Sequence, residues 1–98
     1  MHFLVSWDIK VAEPEWTKLN QQLKQCLEGY SWVKPLKTVY VVKVSDNEEK
    51  KAIKEKLNAV AKTNQGKINI LITPLMEGGI YNGWLPVDLW DKIKKRTS

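Results

Sequence analysis

The feature of this chain that most restricts its fold is a repeated switch in hydrophobic period. Residues 3–9, Phe-Leu-Val-Ser-Trp-Asp-Ile, put Phe3, Val5, Trp7 and Ile9 on one side at a period of two. His2, Leu4, Ser6 and Asp8 fall on the other, so this is a strand with one fully apolar face. From Trp16 the spacing lengthens, and Trp16, Leu19, Leu23, Cys26, Leu27 and Tyr30 share one face of a helix. Pro14 suits the first helical position, Glu13 and Glu15 lie where the helix dipole favours acids, and Gly29 is placed to end the helix.

The alternation then returns. Pro35 divides residues 31–44 into a short strand, Ser31–Lys34, and a longer β-branched one, Lys37–Val44. Ser45 and Glu48 have capping-box spacing and open a second helix with Ile53, Leu57, Val60 and Ala61 inward. Asn-Gln-Gly at 64–66 stops it, and residues 67–73 form a last strand. Residues 76–83 are a glycine-containing connection with room for a short extra strand. Pro86 starts a terminal helix with Leu85, Leu89 and Ile93 inward. The order is therefore β-α-β-β-α-β plus one helix, an α+β, ferredoxin-like split βαβ sandwich. Its antiparallel sheet carries two helices on one face. The other face is expected to lie open, with Leu4, Tyr40, Val42 and Asp8 on or beside it.

Ninety-eight residues support one domain, 1–98, and a 43% hydrophobic fraction with five Trp argues for a packed core. Cys26 is the single cysteine, so an internal disulfide is excluded; on the apolar face of its helix it reads as core filler. No apolar run reaches membrane-spanning length and no leader pattern opens the chain, so a cytoplasmic protein with no membrane contact is expected. Sixteen Lys and Arg against eleven Asp and Glu give a net charge of +5, which favours a polyanionic partner.

Most catalytic patterns are missing. There is no phosphate-binding glycine loop, and His2 is the one histidine, which removes zinc-histidine pairs and serine triads. His2, beside the terminus, reads as a solvated or edge residue. Asp8 is different: a carboxylate ending an apolar central strand must be solvated, bonded or paired with a cation. Either it caps the following turn or it serves a hard cation such as Mg²⁺, for which one or two carboxylates plus water and phosphate suffice. A two-fold dimer would allow two copies of Asp8 to form one paired site. Lys34, Lys37 and Lys43, interleaved with Tyr30, Trp32 and Tyr40, suit a nucleic-acid surface, or else an edge guarded by lysine over a core of aromatics. Lys92, Lys94, Lys95 and Arg96 form a second basic group near the end of the chain.

The first strand ending in Asp8, the Trp-containing first helix, Tyr-Ser-Trp-Val-Lys-Pro-Leu-Lys-Thr-Val-Tyr-Val-Val-Lys at 30–43 and Gly-Trp-Leu-Pro-Val-Asp-Leu-Trp at 83–90 carry a resemblance. Together they resemble the small SinR-like family of bacterial and phage proteins. That family is similar to the ferredoxin-like CRISPR-associated endoribonucleases of spacer acquisition and to the VapD toxins. The resemblance implies a homodimeric, metal-dependent endonuclease or RNA interferase acting on RNA or DNA. Asp8 would be the catalytic and metal-binding residue, Mg²⁺ the metal, and Lys34, Lys37, Lys43, Lys92, Lys94, Lys95 and Arg96 the phosphate-binding cations. Residues 75–85 would pair with the partner's sheet. Where those relatives carry arginines after the aspartate, this chain has Lys10 and Lys18. Some relatives are architectural dimers, so a non-enzymatic module that binds nucleic acid or protein, as scaffold or phage-type inhibitor, is the alternative.

Overall fold

The computed structural model describes residues 1–77 and 83–97. Its elements run β1 (His2–Ile9), α1 (Glu15–Gln25), β2 (Trp32–Leu36), β3 (Val39–Lys43), α2 (Asn47–Thr63), β4 (Ile68–Ile72) and α3 (Val87–Thr97). The strands form one antiparallel sheet in the order β2-β3-β1-β4. This is the ferredoxin-like fold, with the two most apolar long strands at the centre.

Local chemistry moves several boundaries. Pro35 does not divide two strands: it sits inside β2, and the hairpin turns at Lys37 and Thr38. A proline lacks the N–H a central ladder needs, but β2 is an edge strand, and the register shifts between Val33 and Leu36 to accommodate it. The first helix ends at Gln25 rather than near Tyr30. Bonds from Cys26, Leu27, Glu28 and Tyr30 to carbonyls three residues back tighten the chain into turns, and Gly29 takes φ +90°. Pro14 lies just outside α1, whose first turn is closed by Glu13: its carboxylate accepts the Thr17 N–H at 2.7 Å. The capping box of α2 sits one residue later than expected. Asp46 accepts from the Glu49 N–H at 2.9 Å, and the Glu49 carboxylate reaches back to the Ser45 N–H. Asp46 and Glu49 hold the same three-residue spacing as Ser45 and Glu48, so the stronger anionic cap takes the position.

Helices α1 and α2 cover one face of the sheet. Phe3, Val5, Trp7 and Ile9 of β1 and Tyr40 and Val42 of β3 are buried there against Leu19, Leu23, Leu27, Ile53 and Leu57. Each such side chain contributes about 1.5–3 kcal/mol by leaving water. Cys26 joins this core, its thiol donating to the Gln22 carbonyl, and burial pushes its pKa up. Trp16, expected on the apolar face with Leu19 and Leu23, is exposed in the first turn of α1.

The second face is not open as expected. α3 packs on β2 and β3, and Ile93 forms a smaller cluster with Val33 and Val41, joined by Leu4, Leu85 and Trp90. Tyr40 and Val42 are not on this face, because β3 pairs Tyr40 with Val5 and Val42 with Phe3. His2 is not solvated either: it is 2% exposed, opposite Lys43 on one side and Met76 on the other. Met76 supplies the one bridge in the 76–83 connection among the described residues; the rest of the extra strand anticipated there falls on residues 78–82, outside them. No helix among the described residues is long and apolar enough to cross a membrane.

Candidate functional site at the open end of β1

Asp8 is the penultimate residue of β1 and lies on the face that α3 covers only in part. It is exposed, as a carboxylate without a buried partner must be. Cross-strand register sets its neighbours: Asn69 of β4 stands opposite Asp8, and Leu71 stands opposite Ser6. With Thr38 of the β2–β3 turn they line a shallow depression of about 300 Å³. Ser6 shares the face of Asp8, as the period of two requires.

One further residue belongs here. Lys10 lies two positions beyond Asp8 and therefore on the same side of the strand. In the amide orientation that satisfies both its atoms, Asn69 accepts from the Lys10 ammonium at 3.2 Å and donates to the Ile68 carbonyl. Sequence reasoning missed Asn69 and Thr38 because they become neighbours of Asp8 only through strand pairing. Lys10 was legible from its spacing alone.

The donors gathered here are all oxygens: one carboxylate, the Ser6 and Thr38 hydroxyls and the Asn69 amide. That set fits a hard cation that keeps most of its water, and it does not suit a soft one. Among the described residues no group of three or more His, Cys, Asp or Glu comes together. Asp8 is the one acidic residue among the described residues that line the depression.

The basic residues singled out by sequence divide into three groups. Lys37 lies in the β2–β3 turn beside Thr38, at the Asp8 end of the sheet. Lys43 is opposite His2, six residues and about 20 Å along the sheet from Asp8. α3 brings Arg96 toward that far end, where its guanidinium donates to the Trp32 carbonyl at 2.9 Å and Trp32 pairs with Val42. Lys92, Lys94 and Lys95 lie in the same last turns of α3. Lys34 is elsewhere, because its neighbour Val33 faces α3. Its ammonium lies 5.3 Å from the ring of Tyr40, on the α1/α2 side.

The aromatics between these lysines are core. Tyr40 is 1% exposed, stacks on Trp7 at 4.5 Å and meets Trp32 at 5.2 Å. The Trp7 indole N–H donates to Asn20, while the Tyr40 hydroxyl has no partner among the described residues and burial pushes its pKa up. A row locked in this way does not splay to stack bases. No protein-family model matches the chain, and a search of curated proteins returns no significant match.

Proposed function

We propose that the chain is a homodimeric, Mg²⁺-dependent endonuclease acting on RNA or DNA from the Asp8 end of β1. The observation that carries this reading is the exposed Asp8 carboxylate on the half of the second sheet face that no described residue covers, in a depression also lined by Ser6, Thr38 and Asn69. A hard cation bound there would polarise the scissile phosphate and activate a water. Asp8 would supply the anionic oxygen to such a cation, and Ser6, Thr38 and Asn69 would offer hydrogen bonds to the water it keeps. Lys10 and Lys37 neutralise the phosphates nearest the site. Lys43, about 20 Å away along the sheet and so about six nucleotide steps on, and Lys92, Lys94, Lys95 and Arg96 of α3 follow the backbone onward. Lys34, on the other side of the sheet, contributes only to the long-range field. The exposed Leu71 and Trp84, 72% and 99% accessible, support a second copy as cover.

The lone carboxylate also favours a second reading, a non-enzymatic dimer that binds nucleic acid or protein as a scaffold or inhibitor. One assay separates the two. The protein is incubated with single- and double-stranded RNA and DNA in Mg²⁺ or Mn²⁺, with and without chelator. Chelator-sensitive cleavage supports the enzyme, whereas binding without cleavage on every substrate and metal supports the scaffold.

A further inference from the structure

The two edges of the sheet are built differently. β2 carries Lys34, contains Pro35 and breaks register between Val33 and Leu36. Each feature discourages an edge from recruiting another strand. β4 has none of them: Ile-Asn-Ile-Leu-Ile contains no charge and no proline, and it pairs with β1 without interruption from Ile68 to Ile72.

Flanking backbone bonds show which groups of β4 face outward. The Lys10 N–H donates to the Lys67 carbonyl at 2.7 Å, and the Thr73 N–H donates to the Leu4 carbonyl at 3.0 Å. Both fall on the register of Asp8 with Asn69 and Ser6 with Leu71. Antiparallel ladders alternate, so Lys67, Asn69, Leu71 and Thr73 bond to β1, while Ile68, Ile70 and Ile72 turn their N–H and C=O groups to the outer edge, which pairs with no strand among the described residues.

We propose that this edge pairs, antiparallel, with the same edge of a second copy about a two-fold axis at Ile70. The strand is self-complementary under that operation. Ile70 meets the partner's Ile70 and Ile68 meets the partner's Ile72, each pair exchanging both backbone bonds. The β-branched rows on the α2 side then join, a favourable cross-strand arrangement. On the other side Leu71 comes against the partner's Asn69 and loses exposed apolar surface. No charged side chain within β4 meets its own copy. The assembly closes at two chains, because the guarded β2 edge does not continue it. One strand pairing covers less than the roughly 800 Å² per partner of a standard interface, so the dissociation constant is expected on the order of micromolar.

This pairing deepens the homodimer of the proposed function and rests on that part of it alone. It keeps the two Asp8 side chains at least three strand spacings apart, about 14 Å, so each serves a separate site.

Sedimentation equilibrium on the full chain, without nucleic acid, tests it. Leu71→Glu with Asn69→Glu puts like charges directly opposite each other across the axis; Leu71→Glu with Asn69→Lys puts opposite charges there. All these positions are exposed, so the protomer keeps its fold, which circular dichroism checks. The like-charge pair is expected to raise the dissociation constant about tenfold, and the opposite-charge pair to return it close to the wild-type value. A wild-type chain that stays monomeric to near-millimolar concentration, two variants that weaken association equally, or two that leave it unchanged would each overturn the pairing. Cleavage is read on the wild-type chain, because Asn69 lines the Asp8 depression: a wild-type dimer that cleaves nothing would count against the nuclease and leave the pairing standing.

Discussion

On the face covered by α1 and α2, the inward side chains of β1 are buried along its whole length, from Phe3 to Ile9. On the opposite face the same strand passes from buried His2 through half-buried Leu4 and Ser6 to exposed Asp8. One strand thus has a uniform side and a graded side. The gradient follows its cover: Met76 and α3 close over the His2 and Leu4 end, and nothing described closes over Asp8. A carboxylate is tolerated at the one place on β1 where water reaches it. The difference suggests a division of labour, with stability drawn from the first face and ligand access offered by the far end of the second.

The largest expected effects lie on the first face. Leu23→Ala or Leu57→Ala removes a side chain with no exposed surface and leaves a closed cavity. The cost should be about 2–5 kcal/mol in denaturant unfolding, a large share of the stability of a domain this size. Ile93→Ala tests the second face. Ile93 is also buried, but among the described residues its cluster is smaller, with Val33 and Val41 as buried partners. α3 can settle into the gap, so the loss should lie near the lower end, about 2 kcal/mol. Equal losses from Leu23 and Ile93 would break the contrast between the faces.

His2 gives a pH-dependent version of the same contrast. Burial first, and the neighbouring N-terminal ammonium second, hold its imidazole below the ordinary value of 6.5. The unfolded chain therefore takes up a proton at a higher pH than the folded one. Stability from this group is fully present above about pH 6.5 and is lost as pH falls through the folded-state value. Melting temperatures measured from pH 7.5 down to 5 should fall in wild type and fall less in His2→Asn. A wild-type melting temperature that rises on acidification would contradict the lowered value of the folded-state imidazole. At the bottom of the scale, Asp8→Asn should change stability by no more than about 0.5 kcal/mol, since Asp8 is exposed.

The order of elements, the central position of β1 and the face of Asp8 were legible because each rests on local periodicity. What was not legible depends on register. The sequence placed the hairpin break at Pro35; the turn at Lys37 and Thr38 shifts the frame in which β3 is read, and Tyr40 and Val42 pair with Val5 and Phe3 on the helix side. The burial of His2 comes from Met76, seventy-four positions away, and no local pattern signals such a return. The cover provided by α3 was missed for a related reason. Ile93 and Leu85 were read as inward, whereas Trp90 joins the cluster in place of Leu89, and an amphipathic helix does not state which face it meets. At the candidate site, Asp8 and Ser6 followed from spacing, while Asn69 and Thr38 awaited the strand pairing. The seven basic residues looked like two runs in sequence and occupy three separate places on the molecule.

The central claim is that Asp8 is there for chemistry and not for packing. The most direct measurement takes wild type and Asp8→Asn side by side, recording melting temperature and Mg²⁺- or Mn²⁺-dependent cleavage on the same preparations. Asparagine keeps the size and hydrogen-bonding shape of the side chain while removing the charge a hard cation needs. The expected result is an unchanged melting temperature with cleavage reduced by orders of magnitude. A lowered melting temperature with cleavage per folded molecule intact would contradict the claim and make Asp8 a structural residue.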